Sequence, residues 1–278
     1  MFTEIAPDVF AVNHRLVDGR NTIVFGSRGA LAVDACNYAD EGQAMADFIR
    51  GHGARPDRLA LTHGHGDHFL GSGAFRGADV YAHVLSSGTI EAGLPMWADR
   101  YFDGARERAE AMITRPNVLF DSTLSIDLGH KTARLFATPG HCPDAACVYL
   151  EEDRVLCAGD TVVTCIPPSI NDGDSRQLET TLCNLLQLEI QILVPGHGPL
   201  LRGPQAVREH LQWTLGYLQR TRAFVQRALD ASDTLEDGGC AQLIGGRLAE
   251  DPFGTRRRHS MVVDRIAGEI RATQSRTR

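Results

Sequence analysis

The stretch THGHGDH, Thr62 to His68, decides how this chain is read. His63, His65, Asp67 and His68 bring three imidazoles and a carboxylate into one short segment. They follow RLAL (58–61), an apolar run of the kind that forms a buried strand. Imidazole suits zinc and other borderline cations, and carboxylate adds a hard oxygen donor. Gly64 and Gly66 are expected to let the backbone curl so that alternate side chains converge. A polar surface loop has no need of such a density of ligand-type residues.

Further along the chain, three more candidates stand where predicted strands end. TPGHCPD (138–144) places His141 after KTARLFAT, LCAGDTV (156–162) places Asp160, and VPGHGP (194–199) places His197 after QILV. Each sits beside glycine, where the chain turns sharply out of a strand. Singly, each is as readily a structural residue. With the first cluster they make seven ligand-type side chains in loops at strand ends, where function concentrates on a rigid scaffold.

The rest of the pattern supplies that scaffold. Before the ligand loop, VFAVNH (9–14), NTIVFG (21–26) and ALAVDA (30–35) read as short strands, and residues 40–52 as a helix. DVYAHV (79–84) follows as a strand. Residues 86–117 then interrupt with one or two helices carrying Trp97, Tyr101 and Phe102. Strands resume at LSIDLG, KTARLFAT, ACVYLEED and RVLCAGD. A helix is predicted over about 175–189 and the last strand at QILV. From 204 the pattern is helical, with a Gly-rich break at 238–246 and a final helix near 257–272. Two β-rich halves, each closing with helices, predict an α/β fold of two sheets packed face to face with helices outside. The domain reading is a catalytic sandwich over 1–203 and a helical extension over 204–278 packed on it. Trp213 and Tyr217, four apart on the long helix, share a face expected to seal against the sandwich.

A formal net charge of −7 offers no basic footprint, so nucleic acid is not an expected partner. The Arg256–Arg258 and Arg276–Arg278 stretches read as a solvated helix end and a frayed tail. No apolar run approaches the roughly 20 residues of a membrane span. The N-terminus lacks the basic-then-apolar pattern of a secretory signal, and a cytoplasmic location is expected. The 7 cysteines are odd in number and lack metal-type spacing, which predicts free, mostly buried thiols.

The ordered set HxHxDH, TPGH, GD and PGHG resembles the metallo-β-lactamase superfamily over roughly residues 5–215. The resemblance implies an αββα sandwich with the site at one edge between the sheets. It implies His63, His65 and His141 on one metal, Asp67, His68 and His197 on a second, and Asp160 bridging. VDAC (33–36) resembles the family's early VD strand, which would make Asp34 a partner that orients a ligand histidine. The β-lactamases proper usually replace the bridging Asp by Cys or Ser. Its presence here makes the chain similar to the glyoxalase II, lactonase and thioesterase branches. The implied activity is hydrolysis of an ester, thioester or lactone, with two divalent ions: zinc first, iron or manganese as alternatives. Asp67 would orient the nucleophile and shuttle its proton. Trp97, Tyr101 and Phe102 of the insert, with Ile166 in TCIPPSINDGD (164–174), are the candidate pocket, and Tyr101 could hydrogen-bond a substrate oxygen. The expected partner is a small-molecule or carrier-linked acyl substrate, with a homodimer as an open oligomeric state. A mononuclear iron sulfur-dioxygenase-like oxygenase and hydrolases of β-lactam amides or small phosphodiesters remain alternative readings.

Overall fold

In a computed structural model, residues 2–231, 235, 243 and 254–276 are described. Apart from Leu243, the Gly-rich break at 238–246 lies outside them, as do Cys240, Thr277 and Arg278. The first sheet contains β1 (Phe2–Ala6), β2 (Val9–His14), β3 (Gly19–Gly26), β4 (Gly29–Val33), β5 (Arg58–Ala60), β6 (Asp79–His83) and β7 (Val118–Phe120), side by side in chain order. β1 to β4 form an antiparallel meander, and β4 to β7 run parallel. Parallel neighbours need crossover connections. These are α1 (Ala39–Gly51), the single turn α2 (Gly66–Phe69), and the pair α3 (Ser86–Tyr101) and α4 (Arg106–Ala111).

The second sheet contains β8 (Thr123–Asp127), β9 (Thr132–Ala137), β10 (Ala146–Leu150), β11 (Val155–Gly159), β12 (Ile192–Pro195) and β13 (Leu201–Arg202), in the order β13-β12-β11-β10-β9-β8. Only β11 and β12 pair in parallel here, joined through α5 (Ser175–Leu185). The chain closes with α6 (Pro204–Ala231) and α7 (Thr255–Arg276).

Every residue of β10 and β11 is buried. That is why ACVYL and VLCAG read as continuous apolar runs: one face meets the other sheet and the other meets helices. Between the sheets lie Val9, Val24, Leu31 and Val33 from one side and Leu135, Val148, Leu150 and Val155 from the other. Outside the first sheet, Met45, Ile49, Ile90 and Leu94 of α1 and α3 cover Ile23 and Leu59. Outside the second, Leu178, Leu182, Leu211, Val262 and Ile266 of α5, α6 and α7 cover Leu156 and Leu193. This is the expected αββα sandwich. No described helix is long and apolar enough to cross a membrane. The described cysteines are free, four of them buried.

Three strands were not expected. β1 is half exposed at the sheet edge, and β7 and β13 have only 3 and 2 residues. Such segments pair because their neighbours offer an open edge, and hydropathy leaves no trace of that. The face of α6 that bears Tyr217 also differs from expectation. Tyr217 is fully buried and its hydroxyl lies 2.7 Å from His259 Nδ1 on α7. Trp213 is only half-buried, stacked between His210 and Tyr217. That face therefore meets the last helix as well as the sheet, because α7 returns alongside α6.

Candidate metal centre

The seven predicted ligand residues come together at one edge of the sandwich, on loops that leave β5, β9, β11 and β12. His65 caps α2, and Asp67 and His68 lie within it, so a single helical turn presents them to the same space. His65 Nδ1 lies 3.1 Å from His63 Nε2 and 2.9 Å from His141 Nε2. Beside this group, Asp67 Oδ2 is 3.1 Å from His197 Nε2 and 3.9 Å from His68 Nε2. Asp160 stands between the groups. Its Oδ1 is 3.4 Å from both His68 Nε2 and His197 Nε2, and its Oδ2 is 3.7 Å from His141 Nε2.

The outward ring nitrogens show what the inward ones carry. His68 Nδ1 meets Asp34 Oδ2 at 2.8 Å, His141 Nδ1 meets the Ser169 carbonyl at 2.8 Å, and His197 Nδ1 meets the Val17 carbonyl at 3.0 Å. Each of these acceptors requires an N–H. The Thr62 hydroxyl donates to Asp34 Oδ2, so its oxygen accepts from His63 Nδ1 at 3.1 Å. His65 Nε2 faces Asp172 Oδ2 at 3.2 Å. In these neutral tautomers every inward nitrogen presents a lone pair. Lone pairs that meet at about 3 Å repel unless a proton or a cation lies among them. His68 Nε2 and Asp160 Oδ1 are buried and have no hydrogen-bond partner among the described residues. The donors form the groups His63/His65/His141, His63/His68/Asp160 and Asp67/His68/His197, each with its ligand atoms within 4.8 Å of one another. This donor set fits divalent cations.

Without a cation, protons take the strain. Burial opposes charging of His68, but Asp34, Asp67 and Asp160 outweigh it and hold the imidazole well above its ordinary value. His63 is driven well below by its burial and by His68, His65 and His141. Burial would raise Asp160, yet His197 and His68 hold it well below the usual carboxylate range.

Asp34 faces His68 from the end of β4. It accepts from the Thr62 amide at 2.7 Å as well as from the Thr62 hydroxyl and His68. Gly64 and Gly66 have a different reason from the one expected, since neither adopts positive φ. A Cβ on Gly64 would lie 2.9 Å from Thr89 Cβ, and one on Gly66 2.9 Å from Trp97 Nε1. They are glycines because α3 packs directly on the ligand loop.

A cavity of about 300 Å³ opens onto the ligands. Trp97, Tyr101 and Ile166 line it, joined by Leu16, Val17 and Met96. Phe102 does not line it: α3 ends at Tyr101, and the next residue turns away to pack on the core beneath the first sheet. Several residues at the site escaped the sequence reading. Buried Asp144 accepts from the Gly64 amide and the Thr89 hydroxyl, both at 2.8 Å, and pins the ligand loop to α3. Val17, a β-branched residue at φ 51°, holds the carbonyl that orients His197. Arg100 of α3 and Arg258 of α7 both line the cavity, so Arg258 is half-buried at the mouth rather than part of a solvated helix end. A charge run carries no mark of what it will face.

The model of the metallo-beta-lactamase superfamily matches residues 19–197, a segment that holds all seven converging side chains. The chain belongs to this superfamily. Members resembling it include the lactamase-like protein nscB of Arthroderma otae, 26% identical over 76% of this chain and 51% of the relative. A hydroxyacylglutathione hydrolase of Francisella tularensis subsp. novicida is 25% identical over 52% of this chain and 50% of its own length. The chain thus spans about half the length of these relatives. Among solved structures, a metallo-beta-lactamase family protein from Thermus thermophilus covers 94% of both chains with a TM-score of 0.66 at 20% identity. A stereoselective inverting sec-alkylsulfatase from Pseudomonas sp. covers 96% of this chain with half of its own, at a TM-score of 0.71 and 16% identity. These likenesses establish the fold. The superfamily supports hydrolase activity and metal binding.

Proposed function

We propose that this protein is a dinuclear metal-dependent hydrolase of an ester, thioester or lactone, acting on a small-molecule or carrier-linked acyl substrate. The observation that carries the reading is Asp160, whose two oxygens straddle a three-histidine group and an Asp67/His68/His197 group. His63, His65 and His141 would hold one ion, Asp67, His68 and His197 the other, and Asp160 would face both. Two divalent ions, zinc most readily, would supply a water ionised near neutral pH and Lewis acidity toward a carbonyl.

The chain's own residues do the rest. Asp67 faces the reaction space and can take the proton of the attacking water, while the outward N–H bonds of the histidines keep their lone pairs turned in. Tyr101, at the rim, can donate its hydroxyl proton to a substrate oxygen. Val17, Met96, Trp97 and Ile166 offer an apolar wall for an acyl chain. Arg100 and Arg258 add positive charge to the cavity lining and suit a substrate that bears an anionic group. The hydroxyacylglutathione hydrolase among the relatives is in keeping with a thioester.

The test is elemental analysis with activity profiling of the zinc-, iron- and manganese-loaded protein against thioesters, esters, lactones, β-lactams and phosphodiesters. We expect two metals per chain and turnover of a thioester, ester or lactone at about 10⁴ M⁻¹s⁻¹ or more. A single iron per chain with oxygen consumption would replace this reading by an oxygenase. A β-lactam or phosphodiester as the best substrate would replace the substrate class.

A further inference from the structure

Within the three-histidine group, His65 is the most exposed ring, with 24% of its side chain accessible against 3% for His141. Its outer contact comes from a surface residue. Asp172 Oδ2 lies 3.2 Å from His65 Nε2, while Nδ1 of the same ring faces His63 and His141. Asp172 is itself 70% exposed, so packing of its side chain does not place it. The backbone of segment 164–174 must do so.

That segment is tied down at both levels. Toward the site, the Ser169 carbonyl accepts from His141 Nδ1 at 2.8 Å, and the Asp174 amide donates to the Gly140 carbonyl at 2.9 Å. Gly173 rests on the same turn so closely that a Cβ there would come 1.9 Å from the Gly140 oxygen. Away from the site, the segment is held by α7. Arg265 donates to the Gly173 carbonyl, and Glu269 accepts from the Ser175 amide at 2.9 Å and from its hydroxyl. One loop thus orients two of the three histidines, and the last helix grips that loop immediately beside Asp172.

We propose that Asp172 is a positioning residue for the three-histidine metal group, and that Arg265 and Glu269 of α7 hold the loop that presents it. A carboxylate on Nε2 fixes that nitrogen as the N–H, leaves the lone pair on Nδ1 and raises its basicity; removing such outer partners usually weakens metal binding 10–100-fold, roughly. The inference rests on the metal reading of the site but goes beyond it. It couples one half of the centre to the C-terminal helix, which contributes no ligand.

The test is zinc affinity, measured by competition with a chromophoric chelator on the full chain carrying His197→Ala, a background that leaves the three-histidine group whole. Asp172→Ala should weaken zinc binding by roughly 10–100-fold. Asp172→Asn, which keeps an acceptor oxygen without the charge, should fall between Ala and the parent. Arg265→Ala should weaken binding in the same direction by a smaller factor. The visible spectrum of cobalt(II) at the group should change in Asp172→Ala, while the melting temperature of the metal-free protein stays that of the parent. Unchanged affinity and spectrum in Asp172→Ala would overturn the assignment. A weakened Asp172→Ala beside an Arg265→Ala that binds like the parent would overturn the part played by α7. A parent that binds no zinc at all would sink the metal reading itself, and this inference with it.

Discussion

His68 and His197 take their outer hydrogen bonds from the first sheet and its margin, whereas His65 and His141 take theirs from a loop. Asp34, at the end of β4, is 2% exposed and ties His68 to the Thr62 amide and hydroxyl. Val17, between β2 and β3, serves His197. On the other side, Ser169 and Asp172 belong to a connection that α7 holds in place. The two halves carry similar donor atoms but differ in how their geometry is enforced. In one, the Asp34–His68 pair is built into the core and should survive whenever the protein folds. The other depends on tertiary docking of a distant helix.

The sharpest way to break this comparison is to remove the residue that joins the halves. Asp160→Ala should reduce metal content at both groups and abolish turnover, whereas His197→Ala should leave one metal per chain; elemental analysis of the two variants decides it. If Asp160→Ala keeps two metals, the halves are independent. Next in size is Asp34→Ala. It strips the buried His68 imidazole of its partner and leaves the Thr62 amide unpaired, a change that costs roughly 3–5 kcal/mol in comparable buried pairs. Chemical denaturation should show that loss even without metal. A metal-free stability equal to wild type would mean that Asp34 is no more built in than Asp172.

The two tryptophans give a smaller contrast. Trp97 is 5% exposed, packs edge-on against Phe69 and closes over Gly66, while Trp213 is half-buried. Trp97→Ala should therefore cost about 3 kcal/mol and Trp213→Ala about 1 kcal/mol, read from denaturation midpoints. The reverse order would show that α6 bears more load than the insert. The sequence suggests Trp213 as the sealing residue, and Trp97 either as a pocket wall or as packing for the insert.

The smallest effect is on pH. His68 is held above its ordinary value of 6.5 in the metal-free protein, because its three carboxylate neighbours outweigh its burial. The stability it contributes is complete below about pH 6.5 and is lost as pH rises through the elevated folded value. Asp160 is held below 3.8, burial notwithstanding, by His197 and His68. Its contribution is complete above about pH 3.8 and is lost as pH falls through the depressed value. The melting temperature with chelator present should decline on the alkaline side, and zinc should remove that decline because a cation replaces the proton. A parallel decline in both samples would count against a protonated cluster.

The sequence by itself determined the converging His and Asp set and the sandwich beneath it. The ligands close separate loops at strand ends, each beside a glycine or an apolar run, so local pattern and function coincide at the same residues. The alternation and the buried runs of β2 to β4 and β9 to β12 were legible for the same reason, since burial against a partner layer imposes periodicity on the chain. Tertiary structure decided the surroundings. Phe102, just past the end of α3, packs on the core outside the first sheet and does not line the cavity, a placement that hydropathy does not encode. Arg258 lines the cavity from the last helix, and Asp172 reaches His65 through a single polar contact, each between segments far apart in the chain. Such contacts bury little apolar surface and repeat with no period, so nothing in the local sequence records them until the last helix is folded back over the site.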